Sequence, residues 1–230
     1  MKFEKNLIKG KLIKRYKRFL ADIQLEDSHV ITAHCPNSGS MMGLLDEGND
    51  VYVWQSDNPK RKLKYSWELV QSNGTLVGIN TMRPNYLVKE AIEAGVIAEL
   101  QGYPSLKMEV KYGQKSRLDM LLENSRKCYV EVKNVTLVKG DIALFPDSVT
   151  SRGAKHLDEL LHIIREGNRA VVVFVVQRED AVKFVPAIKI DPVFSGKLKD
   201  VLSEGVEALA YQAVVSKTEI KIVRKLPVSV

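Results

Sequence analysis

The sequence predicts an α/β (α+β) protein with two domains, an OB-like basic β-barrel over residues 1–81 and a mixed sheet flanked by helices over residues 82–230. Short strand-like segments separated by turns fill the first part, whereas helical segments and apolar strand-like segments alternate in the second. Of the 230 residues, 45% are hydrophobic and 27% are charged, which is the composition of a globular protein with a buried core.

The first domain is predicted from short segments rich in β-branched and aromatic residues. These segments are residues 30–33, 51–54, 67–70 and 75–79. The last two flank Asn73-Gly74, a dipeptide that favours the two-residue turn of a β-hairpin. Residues 12–20 mix apolar and basic side chains and predict a further strand, although their apolar residues also fit one face of a short helix. Several short strands within about 75 residues indicate a small barrel, for which the OB-fold is the obvious candidate.

The elements of the second domain are predicted in the order helix, three strands, helix, buried strand, helix and two strands. Asn85 is placed to cap the first helix, which runs to about residue 100. The three strands cover residues 106–112, 117–122 and 127–134, and Gly113-Gln114-Lys115-Ser116 links the first two. The later elements are a helix over 151–166, a fully apolar strand over 170–176, a helix near 196–203, and strands near 208–215 and 219–223.

The positive charge of the chain is unevenly distributed. Lysine and arginine number 35 against 28 acidic residues, a net charge of +7. The candidate nucleic-acid-binding clusters of the barrel domain are Lys14, Arg15, Lys17 and Arg18, and then Lys60, Arg61 and Lys62. Polyanions are natural partners of such clusters, because each neutralised phosphate releases condensed counterions. On charge alone the expected partner is DNA or RNA, with a solvated basic surface as the alternative.

The cysteines and the lack of long apolar segments exclude several classes of protein. Cys35 and Cys128 are too few for a disulfide framework or a four-ligand zinc site, so both are expected to be free thiols. The first 20 residues contain no apolar stretch long enough for a signal peptide. The longest apolar run, residues 170–176, is far shorter than the ~20 residues that cross a bilayer. The expectation is a cytoplasmic protein without a membrane partner.

Asp119, Glu131 and Lys133 are the candidate catalytic residues. Glu131 and Lys133 lie two positions apart on one predicted strand, so their side chains leave the same face. Asp119 lies on the preceding strand, which a short turn folds back beside them. Two carboxylates can hold Mg²⁺ or Mn²⁺, and a nearby lysine can orient or help to deprotonate the attacking water. The alternative is an ion pair on the polar face of an amphipathic strand.

These residues and the order of the elements around them resemble the PD-(D/E)xK nuclease superfamily. A strand with Asp119 and a strand with Glu131-Val132-Lys133 follow one helix and precede another helix and strand. The resemblance implies a C-terminal PD-(D/E)xK nuclease-like domain in which Asp119 and Glu131 bind the metal. The superfamily often adds an acid from its first helix, and Glu90 is chosen for that role. No proline precedes Asp119, which departs from the superfamily pattern.

Nearly the whole chain resembles the sugar fermentation stimulation protein A family. The matching segments are residues 15–22, 34–39, 89–92, 109–113, 129–136, 145–147 and 152–157. The resemblance implies an N-terminal OB-like domain and a nuclease-like C-terminal domain. It also implies DNA binding with little sequence preference and a regulatory role in maltose metabolism.

Arg152 and His156 lie four positions apart and therefore share one face of the helix predicted over residues 151–166. In several nuclease-like relatives, this helix places a polar residue beside the metal site. His156 is therefore expected to contact either phosphate or a ligating carboxylate, with an ordinary helix surface as the alternative. Asp147 is expected to cap the approach to this helix, with support of the metal as the alternative.

Three functions follow from these observations. The leading interpretation is a protein that binds double-stranded DNA and whose second domain retains a metal site. The second is an active Mg²⁺-dependent DNA endonuclease, and the third is a module that binds RNA or single strands through the barrel. The sequence leaves the oligomeric state open.

Overall fold

The computed structural model describes residues 1–112 and 116–230, so most of the turn predicted at residues 113–116 lies outside the described part of the chain. The strands of the first domain are β1 Ile8–Tyr16, β2 Leu20–Leu25, β3 Val30–His34, β4 Asp50–Gln55, β5 Tyr65–Ser72 and β6 Thr75–Gly78. They hydrogen-bond in the order β3-β2-β1-β4-β5-β6. A further pairing between β3 and β5 closes the first five strands into a barrel, which confirms the predicted OB-like domain.

Two tight turns fix the barrel hairpins. Between β1 and β2, Lys17 and Arg18 have φ angles of 48° and 63°, in the left-handed region that a tight turn uses. Residues 8–16 are therefore a strand, and the alternative prediction of a helix there is wrong. Between β5 and β6, Asn73 and Gly74 have φ angles of 51° and 78°, as the predicted hairpin turn requires.

The second domain is a mixed sheet with helices on both faces. Its helices are α1 Pro84–Glu93, α2 Ser151–Arg165 and α3 Pro192–Ser203. Its strands are β7 Ser105–Tyr112, β8 Ser116–Glu123, β9 Cys128–Val135, β10 Leu137–Lys139, β11 Ile142–Phe145, β12 Arg169–Val176, β13 Lys183–Pro186, β14 Glu207–Val215 and β15 Ile220–Leu226. The large sheet has the order β15-β14-β12-β9-β8-β7, in which β9, β12 and β14 are parallel. β10, β11 and β13 form a separate small sheet.

The helices differ from the prediction mainly at their ends. α1 ends at Glu93 rather than near residue 100, because Gly95 turns the chain with a φ angle of 74°. α2 is capped by Thr150, whose hydroxyl accepts from the backbone N–H of Gly153 at 3.0 Å, so the cap predicted at Asp147 is wrong. In the part of the chain that the structure describes, no helix combines the length and apolar character needed to cross a membrane.

The large sheet separates two apolar cores. The core on the α1 side contains Leu87 and extends into the barrel through Tyr52 and Leu69. The core on the other side packs α2 and α3 against the sheet through Leu157 and Leu198. The barrel and the second domain therefore bury a common apolar surface, which fixes their relative position.

Hydrogen bonds join the two domains at further points. The backbone N–H of Gly78 donates to the carbonyl of Gln177 at 3.0 Å. The backbone N–H of Met41 donates to the carboxylate of Asp147 at 2.8 Å, which is the contact that Asp147 makes in place of the predicted cap. Residues 1–3 also pair with the chain immediately before β15. These contacts place the loop after β3 next to the segment before α2.

Cys35 and Cys128 are free and fully buried, which confirms the prediction of unpaired thiols. Burial raises the pKa of both thiols, that of Cys128 to about 11, so little reactive thiolate forms at neutral pH. We expect a thiol reagent to modify neither residue in the folded protein and both after denaturation without reductant. Titration of fewer than two groups in the denatured protein contradicts this expectation.

Candidate metal and nucleic-acid site

The candidate catalytic residues lie on neighbouring strands of the large sheet. In the antiparallel pair of β8 and β9, Met120 lies opposite Val130, and the same register brings Asp119 opposite Glu131. The alternation of side chains along β8 is interrupted at Asp119. Leu118 packs in the core beside α2, whereas Met120, two residues later, packs in the core beside α1. Asp119 thus lies at a local distortion of the sheet, and its side chain contacts both Asn85 of α1 and the backbone of Val132 in β9.

Glu131 is buried, with 3% of its surface exposed. Its Oε1 accepts a hydrogen bond from Nζ of Lys133 at 2.6 Å and contacts Nδ1 of His156. Its Oε2 is buried and has no hydrogen-bond partner among the residues that the structure describes. A buried carboxylate oxygen without a partner is costly unless a cation or a water satisfies it.

Asp119 is held by α1 and by the backbone of β9. Nδ2 of Asn85 donates to Oδ1 at 2.8 Å, and the backbone N–H of Val132 donates to Oδ2 at 2.7 Å. Asn85 lies inside the first turn of α1 and does not cap the helix as predicted. Pro84 at the first helical position is the signal that could have placed Asn85 inside the helix.

Glu90, the acid predicted from α1, has a different partner. Its carboxylate pairs with the amino terminus of Met1 at 2.6 Å and is 55% exposed. Five positions separate Glu90 from Asn85, which corresponds to roughly 140° around an α-helix, so the two side chains leave different faces. Helix α1 therefore contributes the side-chain amide of Asn85 to the site, and not the carboxylate of Glu90 as predicted.

The pKa values of the two carboxyl groups of the site are shifted in opposite directions. Burial, together with the neighbouring charge of Glu131, raises the pKa of Asp119 to about 6. Burial also acts to raise the pKa of Glu131, but the Lys133 ammonium and the hydrogen bond with His156 outweigh it and lower that pKa. Neighbouring carboxylates whose pKa values are pushed apart are typical of functional sites.

His156 and Arg152 share one face of α2, as predicted. His156 is buried and contacts the Glu131 carboxylate, which is one of the two contacts expected for it. Its Nε2 accepts a hydrogen bond from Nε of Arg152 at 3.3 Å, so Nδ1 carries the proton that faces Glu131. Of the two residues, Arg152 is the one that lines the neighbouring groove.

A groove of about 840 Å³ runs between the barrel and the second domain. On the barrel side it is lined by Arg15, Arg18 and residues 37–40. On the other side it is lined by the start of α1, the end of β9 including Lys133, and residues 144–152. The N-terminus of α2 opens into it, and the backbone N–H groups at a helix N-terminus favour anions. The groove thus runs from cationic groups to the residues that contact the two carboxylates, although neither Asp119 nor Glu131 is among the described residues that line it.

Two residues of the first basic cluster, Arg15 and Arg18, line this groove. Arg18 lines the groove and is exposed. Arg15 also lines it, but its guanidinium donates to the backbone carbonyls of Asn37, Gly39 and Ser40 at 2.8, 2.9 and 3.3 Å. Arg15 therefore holds the loop after β3 in place, which is a structural role that the sequence did not indicate.

The other predicted basic residues lie apart from the groove lining. Lys17 is exposed in the turn between β1 and β2, and the side chain of Lys14 is 65% exposed. Residues 60–62 lie in the loop between β4 and β5, and none of them is among the described residues that line the groove. Arg61 stacks over the ring of Trp54 at 5.2 Å. The second cluster thus belongs to a separate surface of the barrel.

The donor set of the site suits a hard divalent cation that keeps much of its water. Asp119 and Glu131 offer carboxylate oxygens, and Oε2 of Glu131 has no other partner in the described chain. Among the described residues, no group of three or more His, Cys, Asp or Glu side chains is close enough to hold an ion by itself. Mg²⁺ is commonly bound through one or two carboxylates and several waters, so two protein ligands suffice.

The fold and the site define a class of protein in which an OB-like barrel is joined to a mixed α/β sheet with paired carboxylates. Two family models match the two parts of this chain. The model described as the SfsA N-terminal OB domain covers residues 13–79, and the one described as the sugar fermentation stimulation protein RE domain covers residues 82–219. The chain belongs to the sugar fermentation stimulation protein family.

Similar proteins match over almost their whole length. A sugar fermentation stimulation protein homolog of Geobacter sulfurreducens is 55% identical over 222 residues, which is 96% of each chain. The homolog of Pelobacter propionicus is 56% identical over 223 residues, covering 96% of this chain and 97% of that one. The structure of Pyrococcus furiosus SfsA in complex with Ca²⁺ superposes with a TM-score of 0.91 at 28% identity, covering 100% of this chain and 98% of that one. The predicted family and fold class are confirmed.

Proposed function

We propose that this protein binds double-stranded DNA in the groove with little dependence on sequence, and holds a divalent metal ion at Asp119 and Glu131. The observation that carries the proposal is that one groove is lined both by cationic groups and by Asn85, Val132 and Lys133, which contact the carboxylate pair directly. Arg18, Arg152 and the N-terminus of α2 offer positive charge to phosphates. Groups of this kind contact the DNA backbone, which gives affinity but little sequence information.

Mg²⁺ or Mn²⁺ would be held by Asp119 and by Oε2 of Glu131. When bound, the ion would supply positive charge next to a phosphate and make water a better nucleophile. Lys133 and His156 contact Oε1 of Glu131 and leave Oε2 available. The Pyrococcus furiosus relative is described with Ca²⁺, which prefers oxygen ligands as Mg²⁺ does.

Lys133 favours a second candidate function, the metal-dependent cleavage of DNA. Its ammonium lies 2.6 Å from Oε1 of Glu131, and its side chain is 12% exposed at the groove. An ammonium in this position can orient an attacking water and help to deprotonate it by stabilising the hydroxide that forms. Metal-dependent nicking of supercoiled plasmid separates this function from DNA binding alone. The role in regulating maltose metabolism that the family resemblance implies requires only DNA binding.

Substitution of the groove cations tests the DNA-binding proposal. We expect Arg18→Gln and Arg152→Gln each to weaken duplex binding and to reduce the slope of log affinity against log salt concentration by about 0.9. The reason is that each cation neutralises one phosphate and releases its counterions. Fluorescence anisotropy with a labelled duplex in EDTA, at several salt concentrations, measures both quantities.

The matched controls remove the same charge outside the groove lining. Lys60→Gln and Lys62→Gln should leave the salt slope unchanged, because neither residue lines the groove. A reduced slope in these controls, with an unchanged slope in Arg18→Gln and Arg152→Gln, would place the DNA on the other surface of the barrel. Competition with single-stranded DNA and RNA shows whether duplex is the preferred partner.

A further inference from the structure

Glu109 lies in line with the two carboxylates of the site. In the antiparallel pair of β7 and β8, Met108 lies opposite Met120 and Val110 opposite Leu118, so the position between them brings Glu109 opposite Asp119. The register of β8 and β9 in turn brings Asp119 opposite Glu131. Three acidic residues therefore follow one another across three adjacent strands.

The backbone at Glu109 departs from a regular strand. Its φ angle is 53°. The pairing of β7 with β8 is interrupted at Glu109 and Asp119 and continues in the same register on both sides. Oε1 of Glu109 lies 3.5 Å from Nδ2 of Asn85, the same nitrogen that donates to Oδ1 of Asp119 at 2.8 Å. One amide nitrogen thus lies between oxygens of two carboxylates.

An independent observation, an unpartnered carboxylate oxygen, points to a ligand beside this row. Like charges directly opposite one another on a sheet are destabilising. Lys133 compensates the charge of Glu131 and His156 hydrogen-bonds to it, and both act through Oε1 only. Oε2 of this residue, which is 3% exposed, has no partner among the described residues. A cation beside Oε2 would satisfy this oxygen and reduce the repulsion along the row.

We propose that Glu109 is a third acidic residue of the divalent-cation site and acts through water bound to the ion that Asp119 and Glu131 hold. This inference rests on the metal site of the proposed function. Direct ligation is not invoked, because no three acidic side chains of the described chain are close enough together. Mg²⁺ and Mn²⁺ sites with few protein ligands retain several waters, and an exposed carboxylate next to Asp119 accepts hydrogen bonds from them.

Calorimetric titration of the full chain with Mn²⁺ tests this role. Groups that orient metal-bound ligands typically contribute 10–100-fold to metal affinity. We expect Glu109→Gln to bind Mn²⁺ about 10-fold more weakly than the unsubstituted protein. Glu109→Gly suits a backbone with a φ angle of 53° and should show the same loss, which separates the effect of the carboxylate from that of the backbone.

The control Glu47→Gln removes an exposed acid of the barrel and should leave Mn²⁺ affinity unchanged. If the unsubstituted protein binds Mn²⁺ and both Glu109 variants bind it equally well, the role of Glu109 is refuted while the metal site stands. If the unsubstituted protein binds no Mn²⁺, and Asp119→Asn changes nothing, both the metal site and the role of Glu109 are refuted.

Discussion

Asp119→Asn is expected to abolish Mn²⁺ binding and any DNA cleavage, while the apo protein becomes more stable at neutral pH. The substitution removes one of the two carboxylates that we propose to hold the ion, so calorimetry should detect no Mn²⁺ binding in the millimolar range. It also removes a partly buried negative charge beside Glu131, which is unfavourable because burial and Glu131 raise the pKa of Asp119 from 3.8 to about 6. DNA affinity measured in EDTA should be kept or raised, because negative charge near phosphate is lost.

The sign of the pH dependence follows from the raised pKa of Asp119. Between pH values of about 4 and 6, the folded state retains a proton that the unfolded state has released. The contribution of Asp119 to stability is therefore most favourable below about pH 4 and is lost as the pH rises to about 6. Asp119→Asn should gain stability relative to the unsubstituted protein above about pH 6, by on the order of 3 kcal/mol, and the difference should vanish near pH 4.

Urea unfolding of the apo protein between pH 4 and 8 measures this difference. Asp46→Asn is the matched control, because it removes an exposed aspartate of the barrel and should show neither the metal nor the pH effect. Glu131→Gln should also lose Mn²⁺ binding. Unchanged Mn²⁺ binding in Asp119→Asn and Glu131→Gln would leave these residues as an ion-pair network on an inherited fold, and the metal site would be wrong.

Lys133→Met is expected to keep Mn²⁺ binding and to lose at least 100-fold in plasmid cleavage, if the protein cleaves DNA. The lysine acts on water rather than on the ion, and general acid–base groups typically contribute 10²–10⁴-fold to rate, so about 100-fold is the lower end of the expected loss. Methionine retains most of the volume of the aliphatic chain. The substitution also breaks a buried ion pair with Glu131, which typically lowers stability by about 3 kcal/mol, so binding and cleavage are measured well below the melting temperature.

Lys139→Met is the control, because Lys139 is an exposed lysine at the end of β10. It should cleave plasmid and bind Mn²⁺ as the unsubstituted protein does. Full cleavage by Lys133→Met would remove the lysine from the mechanism. Cleavage undetectable in the unsubstituted protein with Mg²⁺ or Mn²⁺ would leave DNA binding as the function and restrict Lys133 to fixing Glu131.

The part of the site that depends on one strand could be predicted from the sequence, and the part that depends on several elements could not. Alternation along β9 places Glu131 and Lys133 on one face, and this is a local property. The partner of Asp119 depends on where α1 begins. The N-cap is Arg83 rather than Asn85, and this two-residue shift makes Asn85 a hydrogen-bond donor to Asp119 instead of a cap. The position of Glu109 depends on the register of two strands and on a positive φ angle, neither of which its residue type indicates.

The fold, too, could be predicted where it depends on local sequence and not where it depends on contacts between distant segments. The barrel could be predicted because its turns, such as Asn73-Gly74, have residues that specify their geometry. The small sheet of β10, β11 and β13 could not, since its strands have three or four residues and β13 joins from about 40 residues further along the chain. The role of Arg15 was missed for a similar reason. Its hydrogen bonds go to a loop that lies more than 20 positions away.

The common core through Tyr52 and Leu69, with the backbone contacts at Gly78 and Met41, joins the two walls of the groove. A hinge motion that closed the domains around a ligand would have to break these contacts. If duplex DNA binds in this groove as proposed, we expect the nucleic acid to adjust by bending or untwisting to follow the groove. The energy of such deformation depends on the base steps, so duplexes with flexible pyrimidine–purine steps would be held more tightly than stiff A-tracts, even where no base edge is touched.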